Sequence, residues 1–362
     1  MKVLITGGSG LVGRALCQEL STAGHGCLIL SRNPGALSGF PAGTVFDGWN
    51  GTSAEDLRPL VEGVDAVVHL IGESIGEGRW TAARKQAILQ SRTESSRAVA
   101  EALVAAGNPQ MVLVQASAVG FYGPRKSETV AEDGRAGNDF LARVCREWEA
   151  ASESVEEVGI RRVVIRTGVV LSADGGALPK MLLPFRLFAG GPLGSGDQFV
   201  PWIHIADEAG AIRFLIEDEQ ARGPFNLVAP EGVDNRQLAR AIGEELGRPS
   251  SLPTPAVALR VMMGEMSTLV LDGQRAVPQR LLESGYEGGH GSAAAMGPIY
   301  AQLGFAGGPS QGLAIATIGL LASTLLGAAL VVLARERGWL QHPAPEPSEP
   351  DSPATAGPVN PE

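Results

Sequence analysis

The chain has 362 residues, of which 44% are hydrophobic, and it carries a formal net charge of −10 at pH 7. This length allows one large domain or two small ones with a full hydrophobic core. The acidic balance argues against nucleic acid as a partner, because phosphate backbones are bound by basic patches.

The first thirteen residues carry the most specific motif in the chain. Residues 2–6 form a short apolar run that is typical of a buried parallel strand, and a helical pattern begins after Gly13. Between them lies the glycine turn, residues 7–13, which reads Gly-Gly-Ser-Gly-Leu-Val-Gly. A strand, a glycine turn and a helix in this order are the context that a dinucleotide fingerprint requires. In such a turn Gly7 allows the tight bend, Gly10 admits the pyrophosphate and Gly13 lets the helix pack closely.

The second predicted strand, residues 27–30, ends in Ser31-Arg32. An acidic residue here would accept hydrogen bonds from the ribose 2′-hydroxyl and select NAD. An arginine with a neighbouring serine suits a 2′-phosphate instead. We therefore expect NADP(H), the alternative being that Arg32 is a solvated surface residue.

The rest of the pattern alternates strands and helices, which predicts an α/β fold with a Rossmann-like, doubly wound parallel sheet. Residues 173–202 are dominated by glycine, proline and phenylalanine and look like irregular substrate-side loops. The other predicted strands are residues 44–47, 65–72, 110–117, 161–171 and 225–228, and the predicted helices are 56–61, 81–106, 138–158, one starting at 207, and 235–246.

Several polar residues lie near the predicted carboxyl edge of the sheet, where ligands bind in such folds. His69 lies inside a predicted strand, so we expect a core residue. Glu73 and Arg79 could bind a polar substrate or belong to a solvated loop. His204 with Asp207 could form an acid–base pair or could shape the substrate lobe.

Motifs over residues 1–287 resemble the extended short-chain dehydrogenase/reductase superfamily. More narrowly, they resemble its atypical, epimerase-like branch, once labelled as cell-division inhibitors. The matching motifs are the glycine turn, Leu30-Ser-Arg32, Arg79-Trp80, Ser91-Arg92, Ala118-Val-Gly-Phe-Tyr-Gly123, Trp148-Glu149, Arg166-Thr-Gly-Val-Val-Leu171, Gly194-Ser-Gly196, Pro201-Trp-Ile-His204 and Leu271-Asp-Gly-Gln-Arg275. The resemblance implies a small C-terminal substrate lobe and NADP(H) bound near Gly7, Gly10, Leu11, Val12, Gly13, Ser31, Arg32, Leu70, Ile71, Gln86, Arg92 and Val170.

Typical members of that superfamily transfer a proton with a serine and a Tyr-x-x-x-Lys pair, in which the lysine lowers the pKa of the tyrosine. Ser117, at the end of the fifth predicted strand, fits the serine. The following helix has Phe140 and Cys145 where the tyrosine and lysine would be sought. A literal Tyr-x-x-x-Lys at Tyr122–Lys126 contains a Gly-Pro step that prevents the helical turn. Tyr122 alone, on a loop beside Ser117, stays a candidate for substrate contact or proton donation.

The chain divides into five predicted segments: a nucleotide-binding domain with substrate-side loops (1–250), a small module (251–287), a linker (288–311), a transmembrane helix (312–334) and a disordered proline-rich tail (335–362). Residues 312–334 carry no charge, and at about 1.5 Å per residue they could span a hydrocarbon core of roughly 30 Å. Small residues at four-residue spacing favour a helix partner in the membrane. The alternatives are a buried soluble helix, or a separate small membrane protein that begins at Met296 and is joined here by fusion or a frameshift.

Cys17, Cys27 and Cys145 lack the spacing of metal ligands, so no metal site is predicted. Cys17 and Cys27 are expected to be small core residues in a reducing compartment. We therefore expect a cytoplasmic or stromal nucleotide-binding domain that is tail-anchored to a membrane. Two functions follow: an NADP(H)-dependent oxidoreductase or epimerase acting on an unidentified small substrate, or a membrane-tethered NADP(H)-sensing, assembly or division-related protein without turnover.

Overall fold

The computed structural model describes residues 1–286 of the chain. The strands in this part are β1 (Lys2–Thr6), β2 (Gly26–Ser31), β3 (Val45–Gly48), β4 (Ala66–His69), β5 (Val112–Ala118), β6 (Thr129–Val130), β7 (Arg161–Thr167), β8 (Val169–Ser172), β9 (Gly175–Gly176), β10 (Phe199–Val200), β11 (Trp202–His204), β12 (Gly223–Leu227), β13 (Val233–Asp234) and β14 (Arg275–Ala276). The α-helices are α1 (Leu11–Thr22), α2 (Ala54–Val61), α3 (Ala82–Ala106), α4 (Phe140–Ala150), α5 (Ser154–Glu157), α6 (Leu178–Arg186), α7 (Ile205–Glu217), α8 (Asn235–Leu246), α9 (Ala256–Met263), α10 (Thr268–Leu271) and α11 (Gln279–Glu283).

Seven strands form one parallel sheet in the order β12-β7-β5-β4-β1-β2-β3. The chain winds outward from β1 in one direction through β2 and β3, and in the other direction through β4, β5, β7 and β12. The strand order therefore reverses beside β1, and in such sheets the ligand crevice lies at the carboxyl ends at that point. The predicted Rossmann-like, doubly wound α/β fold is confirmed.

Helices cover both faces of the sheet, and the central strand β1 is accordingly apolar on both faces. Val3 and Ile5 pack in one buried cluster with Leu16 of α1 and Ile212 of α7. Leu4 points the other way, into a second cluster that includes side chains of α2 and α3. Since alternate residues of a strand face opposite sides, one five-residue strand joins both layers.

The long strand predicted over residues 161–171 is in fact two strands that separate at Gly168. A Cβ on Gly168 would lie 2.7 Å from the Pro201 carbonyl oxygen, so only glycine allows this close approach. After the break, β8 leaves the main sheet and pairs with β11 and β9. This three-stranded sheet starts the region beyond the crevice.

The expectation that residues 173–202 are irregular is wrong for α6, which runs from Leu178 to Arg186 and contains two prolines, Pro179 and Pro184. Leu182 and Phe185 of α6 are buried against Ala239 and Ile242 of α8. Tertiary packing therefore stabilises a helix that the local composition disfavours. The helix predicted over 138–158 is likewise two helices, α4 and α5.

Residues 253–286 add α9, α10, β14 and α11, and Arg280 of α11 donates to the Arg222 and Pro224 carbonyls at the start of the edge strand β12. Strand β14 pairs with β6, and the Arg79 guanidinium donates to the Val261 carbonyl at 2.7 Å. Of the helices within residues 1–286, none is long and apolar enough to cross a membrane. The predicted linker, transmembrane helix and tail (288–311, 312–334 and 335–362) lie outside the described residues and stay predictions.

Candidate functional site

The glycine turn packs directly against the end of β4. Gly7 has a φ of 71°, and a Cβ there would lie 2.9 Å from the Leu70 carbonyl carbon and 3.0 Å from the Ile71 nitrogen. A Cβ on Gly13 would lie 2.4 Å from the Cα of Gly8. The predicted tight turn at Gly7 and the predicted close helix packing at Gly13 are therefore both present in the backbone.

The first turn of α1 has backbone donors without an acceptor within the described residues. The first intrahelical bond is from Arg14 N–H to the Gly10 carbonyl at 3.0 Å, so the three preceding N–H groups, of Leu11, Val12 and Gly13, are left free. No side chain caps this end, and its first turn has no acidic residue. Free N–H groups and the positive end of the helix dipole together favour an anion.

A cavity of about 380 Å³ adjoins this helix end. The β8–β9 hairpin borders it, and a Cβ on Gly176 would lie 2.9 Å from Leu11 Cδ2. The hairpin residues that the sequence suggested to be an irregular loop thus cover the start of α1. The residues that line the cavity are Ser9, Leu11, Arg14, Ala15, Ser172, Asp174, Gly175 and Ile205.

Ser31 and Arg32 lie at the carboxyl end of β2, as predicted. The Ser31 hydroxyl accepts from the Asn33 N–H at 3.2 Å. The Arg32 side chain is exposed and forms neither a hydrogen bond nor an ion pair with any described residue. It is therefore available to an anionic ligand.

The remaining predicted cofactor residues lie after β4, in β8 and on α3. Leu70 and Ile71 follow β4 beside Gly7 and are half-buried. Val170 lies in β8, in register with Ile203. Gln86 is exposed on α3 and makes no side-chain hydrogen bond with the part of the chain described here.

Arg92 reaches from α3 to the end of β4. Its guanidinium donates to the carbonyls of Glu73 and Ile88, both at 3.0 Å, and lies 4.9 Å from the Trp148 ring. A Cβ on Gly72 would approach it to 2.9 Å. Burial lowers the pKa of Arg92. The glycine thus makes room for a half-buried cation at the edge of the crevice.

Ser117 is the next-to-last residue of β5 and is 4% exposed. Its hydroxyl donates to Glu149 Oε1 at 2.6 Å, and the same carboxylate accepts two hydrogen bonds from Arg166, each of 2.9 Å. A serine hydroxyl has one proton and two lone pairs. Because the proton is directed at Glu149, Ser117 can only accept a hydrogen bond from a ligand.

Tyr122, the predicted candidate for substrate contact or proton donation, has no exposed surface. Tyr122 is fully buried in a short 3₁₀ turn, and its hydroxyl donates to Asn226 Oδ1 at 2.7 Å and accepts from Arg166 at 3.1 Å. Burial raises its pKa, although Arg166 opposes the shift. Its proton is therefore committed inside the core, away from any substrate. Lys126 is exposed, so the literal Tyr-x-x-x-Lys does not form a pair, as expected.

One face of α4 lies against β5 and the turn that follows it. Leu141 and Cys145 are next to Gly120, with their nearest atoms 3.4 and 3.8 Å from where its Cβ would be. Glu149 continues this face at the same four-residue spacing. Phe140 turns away to pack edge-on against Trp80, so Leu141 rather than Phe140 shares this face with Cys145. Burial raises the pKa of Cys145 to about 12.

The sequence analysis assigned no role to two acidic residues in this region, the partly buried Glu149 and the buried Glu208. Glu149 joins Ser117 to Arg166, and no spacing rule relates positions on β5, α4 and β7. Glu208, in the first turn of α7, accepts from the Thr167 hydroxyl at 2.8 Å. Its Oε2 is buried without a partner among the described residues. The sequence signal for Glu208 was its position on the inward face of the helix predicted to start at residue 207.

The other polar residues predicted near the crevice contact neighbouring parts of the protein. His69 lies buried between the Thr6 and Ser95 hydroxyls, at 2.6 and 3.1 Å, and burial lowers its pKa to about 3. The core role predicted for it is confirmed. His204 Nδ1 accepts from a backbone N–H at the start of α7, and burial lowers its pKa. Glu73 pairs with Arg84 at 2.7 Å.

Within residues 1–286 no group of histidine, cysteine and carboxylate side chains could hold a metal ion. Cys17, Cys27 and Cys145 are free thiols and are buried. The expected core positions of Cys17 and Cys27 are confirmed.

Comparisons with known proteins agree on one family. The profile of the NAD dependent epimerase/dehydratase family matches residues 3–227, and a domain of unknown function, DUF1731, matches residues 254–287. The chain is 38% identical over 291 residues to the epimerase family protein SDR39U1 of Mus musculus, covering 79% of this chain and 95% of that protein. It is 38% identical over 287 residues to the epimerase family protein YfhF of Bacillus subtilis, covering 79% and 93%.

A similar solved structure is that of the human epimerase family protein SDR39U1 (isoform 2) with NADPH. It has a TM-score of 0.70 and 35% sequence identity, and the match covers 79% of this chain and 94% of that one. The similarity thus extends over nearly the whole length of these relatives.

Proposed function

Because this chain belongs to the NAD dependent epimerase/dehydratase family, we propose that it binds NADP(H) and is an epimerase-like oxidoreductase of a small hydroxyl-bearing substrate. The free first turn of α1 carries the proposal. Its three unpaired N–H groups, without an acidic neighbour, form a site for a pyrophosphate. The human relative solved with NADPH supports the same cofactor here.

The residues present fit a dinucleotide along the carboxyl edge of the sheet. The glycine turn would hold the pyrophosphate, and Ser31 with the unpaired Arg32 would hold the 2′-phosphate. Leu70 and Ile71 would border the path toward β5. When bound, NADP(H) supplies the hydride or accepts it. The proposed compartment is a reducing one, such as a cytoplasm or a stroma.

Ser117 restricts the class of substrate. Its proton is donated to Glu149 at 2.6 Å, and Arg166 donates two further hydrogen bonds to that carboxylate. A substrate group that meets Ser117 must then donate a hydrogen bond, as an alcohol does and a ketone does not. Ser117 orients such a hydroxyl, and Glu149 is the proton acceptor within reach of Ser117.

A second proposal, NADP(H) sensing without turnover, is favoured by a separate observation. The face of α4 beside Ser117 carries Leu141 and Cys145. Neither side chain transfers protons as a tyrosine–lysine pair does, and burial raises the pKa of Cys145 to about 12. Membrane tethering, which the sequence analysis joined to this function, depends on residues 312–334 and is not carried by any described residue.

Titration of the full-length protein with NADPH and NADH, followed by cofactor fluorescence, tests the shared premise. We expect tight NADPH binding and weaker NADH binding. Equal affinities would contradict the role of Arg32, and no binding of either would contradict the function itself. Fractionated metabolites are then added with NADP⁺ and absorbance is followed at 340 nm. Reduction of NADP⁺ by an alcohol-containing fraction supports the oxidoreductase, and tight binding with no turnover in any fraction supports sensing.

A further inference from the structure

A second arginine, Arg14, joins the glycine turn to the loop that follows Arg32. Its Nε donates to the Ser9 carbonyl at 3.1 Å and its Nη1 donates to the Ser38 carbonyl at 2.8 Å. The guanidinium also lies 4.5 Å from the centroid of the Phe40 ring. The side chain is exposed but has three contacts that fix its position.

The charge of Arg14 is not neutralised by the protein. Neither Arg14 nor Arg32 forms an ion pair with any carboxylate of the described residues. Asp174 lines the same cavity as Arg14 without pairing with it. Helical side chains point toward the N-terminus of their helix, so this guanidinium adds positive charge where the helix dipole is already positive. An anion at this place would relieve that repulsion.

We propose that Arg14 determines cofactor specificity by binding the 2′-phosphate of NADP(H) together with Arg32. This inference rests on the proposed function and adds a residue to the same site. Two of the five guanidinium N–H donors are used by carbonyls, which leaves others for phosphate oxygens. Because two carbonyls and an aromatic ring already hold the side chain, less conformational freedom is lost on binding.

The contacts of Arg14 favour the 2′-phosphate over the pyrophosphate. In dinucleotide folds the ribose hydroxyls lie at the carboxyl end of the second strand, and Arg32 directly follows β2. Arg14 contacts Ser38 and Phe40 in the loop that begins there. The pyrophosphate is instead served by the free N–H groups at the start of α1.

The test compares NADPH and NADH dissociation constants for the full-length protein and three variants. Arg14→Ala removes the side chain, and Arg14→Gln keeps a donor for the loop carbonyls without the charge. Arg248→Ala is the matched control, since Arg248 lies 4.3 Å from the Phe188 ring centroid and pairs with no described carboxylate. Melting temperatures of all variants are measured alongside.

We expect both Arg14 variants to bind NADPH about ten-fold or more weakly than the unmodified protein, and to bind NADH less than about two-fold more weakly. The affinity of the variants for NADPH should also depend less on salt concentration than that of the unmodified protein. Arg248→Ala should change neither constant. An equal loss of affinity for NADPH and NADH, or no loss of NADPH affinity in Arg14→Gln, would overturn the inference while leaving the proposed function standing. If the unmodified protein binds neither dinucleotide, the proposed function fails and this inference fails with it.

Discussion

The buried carboxyl of Glu208 should make the stability of the fold fall as pH rises through neutrality. Glu208 is 1% exposed, and only one of its oxygens has a hydrogen-bond partner among the described residues, the Thr167 hydroxyl. Burial raises its pKa from 4.5 to about 8. The folded protein therefore keeps this carboxyl protonated at pH 7, whereas the unfolded chain ionises it.

The size of the effect follows from the two pKa values. Between pH 4.5 and about 8 the folded state binds one more proton at Glu208 than the unfolded state, so the free energy of unfolding decreases with rising pH. The contribution of Glu208 to the free energy of unfolding has its full value below pH 4.5, and it is lower by roughly 4 to 5 kcal/mol above pH 8. From pH 6 to 7.5 the expected loss is about 2 kcal/mol.

The variant Glu208→Gln keeps an acceptor for Thr167 and cannot ionise. We expect its melting temperature to exceed that of the unmodified protein by an amount that grows by about 4 °C between pH 6 and 7.5. Glu94→Gln, an exposed change on α3, is the control and should follow the unmodified profile. Parallel pH profiles for Glu208→Gln and the unmodified protein would refute the burial argument.

Two further substitutions test the glycine turn and the buried ion pair. Gly13→Ala places a Cβ 2.4 Å from the backbone of the turn, so we expect it to destabilise the fold by about 1 to 3 kcal/mol and to abolish NADPH binding. Gly26→Ala is the control and should have neither effect, because no atom lies within 4 Å of its Cβ. Unaltered binding by Gly13→Ala would be the contrary result. Glu149→Ala leaves Arg166 buried and unpaired and should lower the free energy of unfolding by about 3 kcal/mol or more in chemical denaturation. Glu147→Ala, which removes the half-exposed partner of the exposed Arg143, should cost under about 1 kcal/mol, and equal losses would contradict the reasoning.

Much of the fold could be predicted because the relevant signals are local. The strand, glycine turn and helix at residues 2–22 are contiguous, and their residue types match their conformations. The helix predicted at 235–246 has the same bounds in the structure, where Asp234 and Gln237 form a capping box. The helix α6 could not be predicted, because its stability depends on packing against α8 and its prolines suggest a loop.

The candidate site could be predicted only in part, for a related reason. Ser117 was found because a serine at the end of a strand is a local feature. Its partner Glu149 and the cation Arg166 come from α4 and β7, and their geometry depends on the register of the sheet. The burial of Tyr122 could not be predicted, because the partners of its hydroxyl, Asn226 and Arg166, lie far away in the sequence.

The contacts between the small module and the sheet bear on the order in which the chain can fold during synthesis. Asn226, on the edge strand β12, donates to the Val277 carbonyl at 2.9 Å, and Glu132 accepts from the Arg280 N–H. Both Asn226 and Glu132 are buried, so they lack these partners until residue 280 has left the ribosome. The sheet therefore reaches its final stability only after nearly all of the described chain has been made. Residues 253–286 thus belong to the folding unit of the nucleotide-binding domain, and a chain ending before Val277 would hold unsatisfied polar groups in its interior.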